Sequence, residues 1–337
     1  MRYVSVQCAK PISKIGLGTW QFGSPEWNYG ERYAATDARA IVRRALELGV
    51  TLFDTAEIYG IEARSVSCRA LMRGVAVADP ARLHGFGCSE RVLGEALAHD
   101  AASAVVATKF YPAGPIAPSI RRHAAASARR LGVSRIDLYQ IHQPARTAVV
   151  GRAMRAAHDL KHDGLIAEVG LSNGTLDGWR AAEDALAARV LSNQVPYSLV
   201  NRAAEETLLP YARAHGRVII AFSPLARGLL SGRYNRQRLP TSPAQLADPL
   251  FLPENLDRAA ELVDTLRAVA DAHAATAAQV ALAWVIRDPM VSAIPGAATV
   301  EQLESNVAAA DIDLTDDEYR ALTDASARFS PVHPPRS

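Results

Sequence analysis

The sequence predicts a (β/α)8 TIM barrel with an N-terminal β-hairpin and C-terminal helices. Three observations favour this fold class. Short apolar strands alternate with helical segments, eight strand–helix units can be counted in the 337 residues, and no linker divides the chain. Strand–helix alternation implies parallel strands joined by right-handed crossovers, and eight such units favour a closed barrel. The main alternative, a doubly wound open sheet, is disfavoured because no G-x-G-x-x-G motif opens the first helix.

The predicted elements follow in chain order. Residues 3–6 and 13–17 are expected to form an antiparallel hairpin, and a helix over 38–48 has Asp37 as its expected N-cap and Gly49 as its stop. The strands are predicted at 15–18, 50–53, 105–110, 136–141, 166–171, 190–195, 218–222 and 291–294. The later helices are predicted at 89–97, 119–131, 148–162, 176–187, 205–215, 255–273, 276–287, 299–309 and 315–327.

Two long non-repetitive stretches follow predicted strand ends within this single domain of residues 1–337. Residues 61–88 are an insertion after the second strand, and residues 226–253 form a loop after the seventh. Because the loops at the carboxyl ends of barrel strands carry function, we expect both stretches on the active face.

Composition and charge exclude several classes of protein. The formal net charge is +2 and the basic residues are scattered, which argues against a nucleic-acid surface. No apolar run approaches the roughly 18–20 residues that span a bilayer, and the N-terminal apolar stretch is too short for a signal peptide. Cys8, Cys68 and Cys88 form neither a disulfide framework nor a metal-ligand set. We therefore expect a soluble, cytoplasmic protein without a metal site.

Chemically active side chains follow three consecutive predicted strands. Asp54 and Tyr59 come just after the second strand, Lys109 lies at the end of the third, and His142 follows the fourth. Because the carboxyl ends of parallel neighbours meet on one face, the four side chains are expected to converge. Lys109 is one of only four lysines among 37 basic residues, and lysine is the cation whose pKa responds readily to burial.

These four residue types suit the reduction of a carbonyl group. Tyr59 can donate the proton if its pKa is lowered from about 10, and a neighbouring Lys109 ammonium favours the phenolate. Asp54 would hold the ammonium, while His142 would orient the carbonyl and stabilise developing charge. Taken singly, each residue also has a structural interpretation as a cap, a turn residue or a loop hydrogen bond. Lys109 is the hardest to explain in that way, because a cation after apolar residues needs a partner.

Eight short motifs run through the chain: Gly16-Leu-Gly-Thr-Trp20, Phe53-Asp54-Thr-Ala-Glu-Ile-Tyr59-Gly60, Ala107-Thr-Lys109-Phe110, Asp137-Leu-Tyr-Gln-Ile-His142, Gly170-Leu-Ser-Asn173, Gln194-Val-Pro-Tyr197, Phe222-Ser-Pro-Leu-Ala-Arg-Gly228 and Ile294-Pro-Gly-Ala297. With these motifs the sequence resembles the aldo-keto reductases, bacterial members in particular, over nearly its whole length. The resemblance implies an NAD(P)H-dependent reductase of aldehydes or ketones on a (β/α)8 barrel. The family's Asp-Tyr-Lys-His tetrad matches Asp54, Tyr59, Lys109 and His142.

The resemblance also implies a cofactor site along the strand ends. Residues 172–173 with Gln194 would bind the nicotinamide carboxamide, Tyr197 would stack on the ring, and residues 223–232 would hold the pyrophosphate. Residues 295–306 would hold the adenine ribose, with two amide side chains against the adenine. The full expected set is Gly18, Thr19, Trp20, Ser172, Asn173, Gln194, Tyr197, Ser223, Pro224, Leu225, Gly228, Ser231, Gly232, Pro295, Gly296, Ala297, Thr299, Gln302 and Asn306.

Two features depart from the family pattern. Members that prefer NADP commonly place Lys or Arg near 296–298 or at 302, whereas this chain has no cation there and one acid, Glu301. A 2′-phosphate would meet only Thr299 and helix N-terminal amides. From family usage we expect NADP(H), with NAD(H) as the open alternative. The insertion at 61–88, rich in arginine, is either a flap over the substrate mouth or a solvated surface segment.

The substrate is expected to be a small carbonyl compound, and the chain is expected to be a monomer as is common in the family. Trp20, Trp27, Phe110 and Tyr111 are the candidate apolar wall of its pocket. Two other functions are considered. A cofactor-binding regulatory protein is disfavoured by the intact tetrad, and a Schiff-base lyase or isomerase is disfavoured because Asp54 and Tyr59 would keep Lys109 protonated.

Overall fold

The computed structural model describes residues 1–61, 84–111, 116–143 and 147–332, and within them eight parallel strands form one sheet in sequence order. Parallel bridges from Ile15 to Ala293 and from Gly18 to Gly296 join the last strand to the first. The predicted (β/α)8 barrel is therefore confirmed. The strands are β1 (Leu17–Gly18), β2 (Leu52–Asp54), β3 (Val105–Phe110), β4 (Ile136–Ile141), β5 (Ile166–Ser172), β6 (Ser192–Pro196), β7 (Val218–Phe222) and β8 (Val291–Ala293).

The helices surround this sheet and continue beyond the last strand. They are α1 (Ala35–Glu47), α2 (Cys88–Leu97), α3 (Ile116–Leu131), α4 (Thr147–His162), α5 (Leu176–Leu186), α6 (Leu208–His215), α7 (Pro243–Leu246), α8 (Pro253–Arg258), α9 (Ala260–Ala272), α10 (Ala277–Ile286), α11 (Val300–Ala308) and α12 (Asp316–Arg328). Threonine hydroxyls accept from the third residue beyond them at the starts of α5, α10, α11 and α12, as expected of N-caps.

Successive residues of each strand face opposite sides of the barrel wall. One apolar cluster lies inside the barrel and includes Leu52, Val105, Leu138, Val218 and Ile220. Their neighbours in sequence belong to a second cluster, which lies between the sheet and the helices. This alternation determines which side chains can reach a site inside the mouth of the barrel.

The N-terminal hairpin closes the amino-terminal end of the barrel. Tyr3 and Ser13 form an antiparallel bridge, and the Val4 amide donates to the Ile12 carbonyl at 2.8 Å. Val4 and Ile12 are buried in the same cluster as the interior strand residues. The opposite, carboxyl-terminal end is therefore the one that can hold a site.

Some predicted boundaries are wrong in detail. Asp37 is not the N-cap of α1 but lies in its first turn, where its carboxylate accepts from the Ala34 amide at 2.7 Å. The helix predicted at 255–273 is divided into α8 and α9, and the helix predicted at 205–215 starts as a 3-10 turn at Ala203–Glu205 before α6. The first and third of these differences lie at helix ends, which fray and whose bounds vary, whereas the second lies inside the predicted helix, at Ala259.

Most of the 61–88 insertion lies outside the described residues, so the flap hypothesis stays a prediction. Among the described residues, no single helix has the length and apolar character needed to cross a bilayer. Only α9 and α10 taken together meet that test, and they are bent by 92° relative to each other.

Candidate functional site

A buried ion pair lies at the carboxyl ends of β2 and β3. Lys109 has no exposed surface and Asp54 has 1%. The Lys109 ammonium donates to Asp54 Oδ2 at 2.7 Å, to the Thr55 carbonyl at 2.8 Å and to the Tyr59 hydroxyl at 3.1 Å. Three acceptors match the three protons of an ammonium group, so Lys109 is fully satisfied and fixed in place.

Tyr59 and His142 complete the predicted group of four. Their rings meet edge to face with centroids 5.6 Å apart. Unlike Asp54 and Lys109, both residues remain partly exposed. The site is thus layered: the ion pair is sealed inside the barrel, while the phenol and the imidazole face the mouth, where a substrate can reach them.

Burial controls the protonation of this group. Burial raises the pKa of Tyr59 more than the Lys109 charge lowers it, and Asp54 raises it further. Burial lowers the pKa of Lys109, but Asp54 and Tyr59 outweigh it and the net shift is upward. Burial and the Lys109 charge hold the pKa of His142 well below its ordinary value. At neutral pH the site therefore combines an ammonium, a neutral imidazole and a protonated phenol.

This result corrects one expectation. Lys109 acts on Tyr59 in the predicted direction, yet the Tyr59 pKa is raised rather than lowered because partial desolvation of the phenol outweighs the Lys109 charge. The residue is accordingly held as an acid, with its proton present. The Lys109 charge and its hydrogen bond to the phenol limit the rise.

The second oxygen of Asp54 connects the ion pair to β6. Asp54 Oδ1 accepts from Gln194 Nε2 at 2.7 Å and from Gln140 Nε2 at 3.5 Å. The resemblance implies that Gln194 binds the cofactor, and in the structure its amide nitrogen is bonded to Asp54. No sequence signal indicated this contact, because 140 residues separate the two side chains.

The end of β5 is tied to the end of β4. Asn173 has a left-handed backbone (φ 60°), and its amide nitrogen donates to the His142 carbonyl at 3.2 Å and to Ser172 Oγ at 3.1 Å. Its backbone amide donates to the Gln194 carbonyl at 2.8 Å. Ser172 and Asn173 therefore lie beside the four residues, as expected.

The loop after β7 has an unusual backbone. Ser223, Ala226, Arg227 and Gly228 all have positive φ. Left-handed residues in turns can present backbone N–H groups to an anion, and positive φ in residues other than glycine is costly and clusters at functional sites. The Ala226 and Gly228 amides already donate to the Ser223 and Leu225 carbonyls, so a phosphate would bind the other amides of this loop.

The same loop crosses the mouth of the barrel. The Arg227 guanidinium lies 5.4 Å from the Trp20 ring centroid, and Arg227 also pairs with Asp248 at 3.2 Å. Trp20 in turn lies 6.3 Å from the Tyr59 ring and 5.4 Å from Trp27. Loops from β1, β2 and β7 therefore border one space.

The segment after β8 packs closely on the segment after β1. The Gly18 amide donates to the Pro295 carbonyl at 3.1 Å, and a Cβ at Gly18 would lie 2.7 Å from the Ile294 carbonyl oxygen. A Cβ at Gly296 would lie 2.8 Å from Gln21 Oε1. Glycine is required at Gly18, where a Cβ would meet backbone, whereas a Cβ at Gly296 would need the Gln21 side chain to move. Thr19 is fully buried and bonded to the Asp54 carbonyl and to Ser89.

The two residues expected to contact adenine are engaged within their own loop. Gln302 Oε1 accepts from the Ala298 amide at 2.9 Å, and Asn306 Nδ2 donates to the Gly296 carbonyl at 3.2 Å. Thr299 caps α11. In the structure these side chains form hydrogen bonds to the backbone of residues 296–302 and so stabilise the conformation of this segment.

Two predicted aromatic residues face the wrong side of the barrel wall. Tyr197 has 2% of its surface exposed, donates to Glu205 at 3.1 Å and packs on Trp284. Phe110 is buried in the outer cluster and stacks on Tyr139 with centroids 5.5 Å apart. The structure therefore does not bring Tyr197 to a cofactor ring or Phe110 to a substrate. Trp20 and Tyr111 do lie at the site, the latter 6.4 Å from the His142 ring.

Phe222 is the residue that the sequence interpretation missed. It ends β7 on the inner face, packs against the interior cluster and remains partly exposed. It directly precedes Ser223, the first residue of the positive-φ loop. The sequence pattern predicts this position, because Val218, Ile220 and Phe222 are spaced two residues apart and therefore lie on the same face of the strand.

Similarity to known proteins covers most of the chain. A family model described as "Aldo/keto reductase family" matches residues 14–327. An uncharacterized oxidoreductase of Mycobacterium tuberculosis is 49% identical over 332 residues, covering 98% of this chain and 95% of the relative. The NADH-specific methylglyoxal reductase of Escherichia coli is 29% identical over 330 residues, covering 90% and 92% of the two chains.

A solved structure shares the architecture. An aldo/keto reductase from Klebsiella pneumoniae, in complex with NADP and acetate, superposes with a TM-score of 0.70 at 27% identity. The match covers 99% of this chain and 96% of that one. The likeness therefore extends over the whole barrel, including the carboxyl-terminal face.

Proposed function

Because this chain belongs to the aldo/keto reductase family, we propose that it reduces an aldehyde or a ketone to an alcohol, with NAD(P)H as the hydride source and Tyr59 as the proton donor. One observation carries the proposal. The buried ammonium of Lys109 is shared between the Asp54 carboxylate and the Tyr59 hydroxyl. The phenol that it holds is protonated and faces the mouth.

The protein's own groups have distinct parts in this reaction. Tyr59 gives its proton to the oxygen of the substrate as negative charge develops there. Lys109 stabilises the phenolate that remains, and Asp54 keeps Lys109 charged and in position. His142 is neutral, and its Nδ1 is buried with no partner among the described residues. An uncharged imidazole N–H can orient the carbonyl oxygen without competing for the proton.

The residues at the strand ends fit a nicotinamide dinucleotide, which would supply the hydride when bound. The loop after β7 would hold the pyrophosphate through its backbone amides, and Gly18 permits the close approach of the segments after β1 and β8. Ser172, Asn173 and Gln194 would take the carboxamide. In place of Tyr197 we propose Phe222 as the aromatic side chain against the ring.

NADP(H) remains the proposed cofactor and NAD(H) the alternative. The Klebsiella pneumoniae structure contains NADP, whereas the Escherichia coli relative is NADH-specific. Residues 295–302 carry no Lys or Arg, so a 2′-phosphate would depend on Thr299 and the amides at the start of α11. Initial rates with NADPH and NADH and one common substrate decide the matter, and a clear preference for NADH would overturn the choice of NADP(H).

The proposed function is tested with a panel of aldehydes, ketones and 2-oxoaldehydes, by following the loss of reduced-nicotinamide absorbance. We expect turnover by the natural chain. Tyr59→Phe keeps the ring beside Trp20 and His142 but removes the proton, so turnover should fall about 10²- to 10⁴-fold. Fluorescence titration of the reduced cofactor should show unchanged binding. Tight binding without turnover of any carbonyl compound would instead support the regulatory alternative.

A further inference from the structure

Glu57 is a buried carboxylate two residues before Tyr59, and the proposed reaction does not use it. It has 1% of its surface exposed. Its Oε1 accepts from the Tyr111 backbone amide at 2.8 Å, and its Oε2 accepts from Nδ1 of His123 in α3 at 2.7 Å. A buried carboxylate is stable only when its oxygens are bonded. Here both oxygens bind parts of the chain that are more than 50 residues away in sequence.

The backbone of Glu57 makes further contacts at the same junction. Its amide donates to the Lys109 carbonyl at 3.2 Å, and its carbonyl accepts from the Gly87 amide at 2.6 Å. Glu57 therefore joins the loop after β2 to the end of β3 and to the start of α2. The first of these segments carries Tyr59, and the second carries Lys109 and Tyr111.

A second buried carboxylate holds the end of β3 from the other side. Glu90 is fully buried and accepts from Thr108 Oγ1 at 2.6 Å and from Arg130 Nε at 2.6 Å. Thr108 is thus bound by Glu90 and Tyr111 by Glu57, with Lys109 between them. Only the Glu57 contact also fixes the segment that bears the phenol.

We infer that Glu57, together with His123, is a positioning residue that sets the distance between Lys109 Nζ and the Tyr59 hydroxyl. The inference rests on the proposed function. Without the Glu57 carboxylate, the β2 loop and the end of β3 lose one of the side-chain contacts that join them, and the 3.1 Å hydrogen bond between Lys109 and Tyr59 depends on the contacts that remain. Misplacement of a catalytic group by about 1 Å can lower a rate about 10²-fold.

The test compares Glu57→Ala with Glu57→Gln. In Glu57→Ala we expect kcat to fall about ten- to a hundredfold. The KM for the reduced cofactor should be unchanged, because the Glu57 contacts lie on β3, α2 and α3 and not on the loops after β7 and β8. Glu57→Gln should recover most of the rate, since its amide oxygen can accept from Tyr111 and its amide nitrogen can donate to His123. His123→Ala should fall between the two.

The matched control is Glu168→Ala. Glu168 is a half-buried carboxylate that also has two partners, Arg189 at 2.6 Å and Lys161 at 2.9 Å, but it lies in the part of β5 far from Ser172. Its loss should lower the midpoint of thermal unfolding without changing kcat. An equal kcat for Glu57→Ala and the natural chain, or no recovery in Glu57→Gln, would overturn the inference. If Glu57→Ala does not fold, the kcat of His123→Ala is compared with that of Glu168→Ala. A lower kcat in His123→Ala supports the inference, and equal values overturn it.

A second measurement does not depend on turnover and separates this inference from the proposed function. Hydrogen exchange in the cofactor-free protein should be faster in Glu57→Ala over residues 55–61 and 108–111, with no change in Glu57→Gln or Glu168→Ala. Unchanged exchange in Glu57→Ala would overturn the positioning role. A natural chain that reduces no carbonyl compound, with the exchange result as expected, would instead overturn only the proposed reaction.

Discussion

The barrel buries two lysines, one at each end, in different environments. Lys109, at the carboxyl end, binds the side chains of Asp54 and Tyr59. Lys14, at the amino end, is 6% exposed and donates to the backbone carbonyls of Ile286, at 3.0 Å, and Asp288. The first lysine is held by groups that can change their charge, and the second by groups that cannot.

This difference reverses the direction of the pKa shift. Burial lowers the pKa of Lys14 to about 8, and the Asp288 charge compensates only in part. Burial acts in the same direction on Lys109, but Asp54 and Tyr59 outweigh it and the pKa is raised. Residue type and burial are therefore the same for the two lysines. An ionisable side-chain partner is what distinguishes Lys109, the lysine that we propose to be functional, from Lys14.

The largest expected effect comes from Lys109→Met. Removing the ammonium leaves Asp54 buried without its cation, which costs about 3–5 kcal/mol of stability. It also removes the partner of the Tyr59 phenolate, so turnover should fall about 10²- to 10⁴-fold. Chemical denaturation and steady-state kinetics measure the two effects. Lys14→Met is the control, with a kcat/KM close to that of the natural chain, and a comparable loss of turnover there would break the comparison.

Lys14→Met should change the pH dependence of stability. The folded pKa of Lys14 is about 8, below its ordinary value of 10.5. Between these values the unfolded chain binds more protons than the folded chain, so this group makes stability rise with pH. The rise is at most about 3 kcal/mol, and Lys14→Met should lack it. Denaturant unfolding from pH 7 to pH 10 tests this, since shared tyrosine ionisation cancels between the two chains. If the free energy of unfolding depends on pH in the same way in both chains, the pKa of Lys14 is not lowered in the folded state.

The smallest expected effect concerns the two faces of the barrel wall. Phe222→Ala should weaken binding of the reduced cofactor about three- to tenfold, the size of an aromatic contact of about 1 kcal/mol. Tyr197→Phe should leave that affinity unchanged and lose about 1 kcal/mol of stability with the hydrogen bond to Glu205. Fluorescence titration measures the cofactor affinity of both variants. A larger loss of affinity in Tyr197→Phe than in Phe222→Ala would favour Tyr197 as the stacking residue.

Strand periodicity bears on two of the predicted site residues. Gln194 and Tyr197 are three residues apart, so on an extended chain they face opposite sides, and Lys109 and Phe110 are adjacent and must do so as well. Asp54, Lys109 and Gln194 point inward, which places Tyr197 and Phe110 outside. The resemblance implies that Tyr197 stacks on the cofactor ring, whereas the alternation of side chains along the strand places the Tyr197 ring on the outer face.

Other features had no local signal. Asp54 meets Gln194 across 140 residues, and Glu57 meets His123 across 66. These contacts depend on the register of strands that are far apart in the chain and on how α3 packs against the sheet. The sign of the Tyr59 shift likewise depends on how much water the assembled mouth excludes. That residues 1–337 form one domain stays a prediction.

The sequence by itself determined the alternation of strands and helices, and it placed Asp54, Tyr59, Lys109 and His142 close to strand ends. Both follow from short-range periodicity and from the polar residues that interrupt it. Only the tertiary structure decided which groups share a proton or a charge. Lys14 and Lys109 show the reason: hydrogen bonding and desolvation depend on distances of a few ångströms between segments far apart in the chain, and those distances exist only when the barrel is closed.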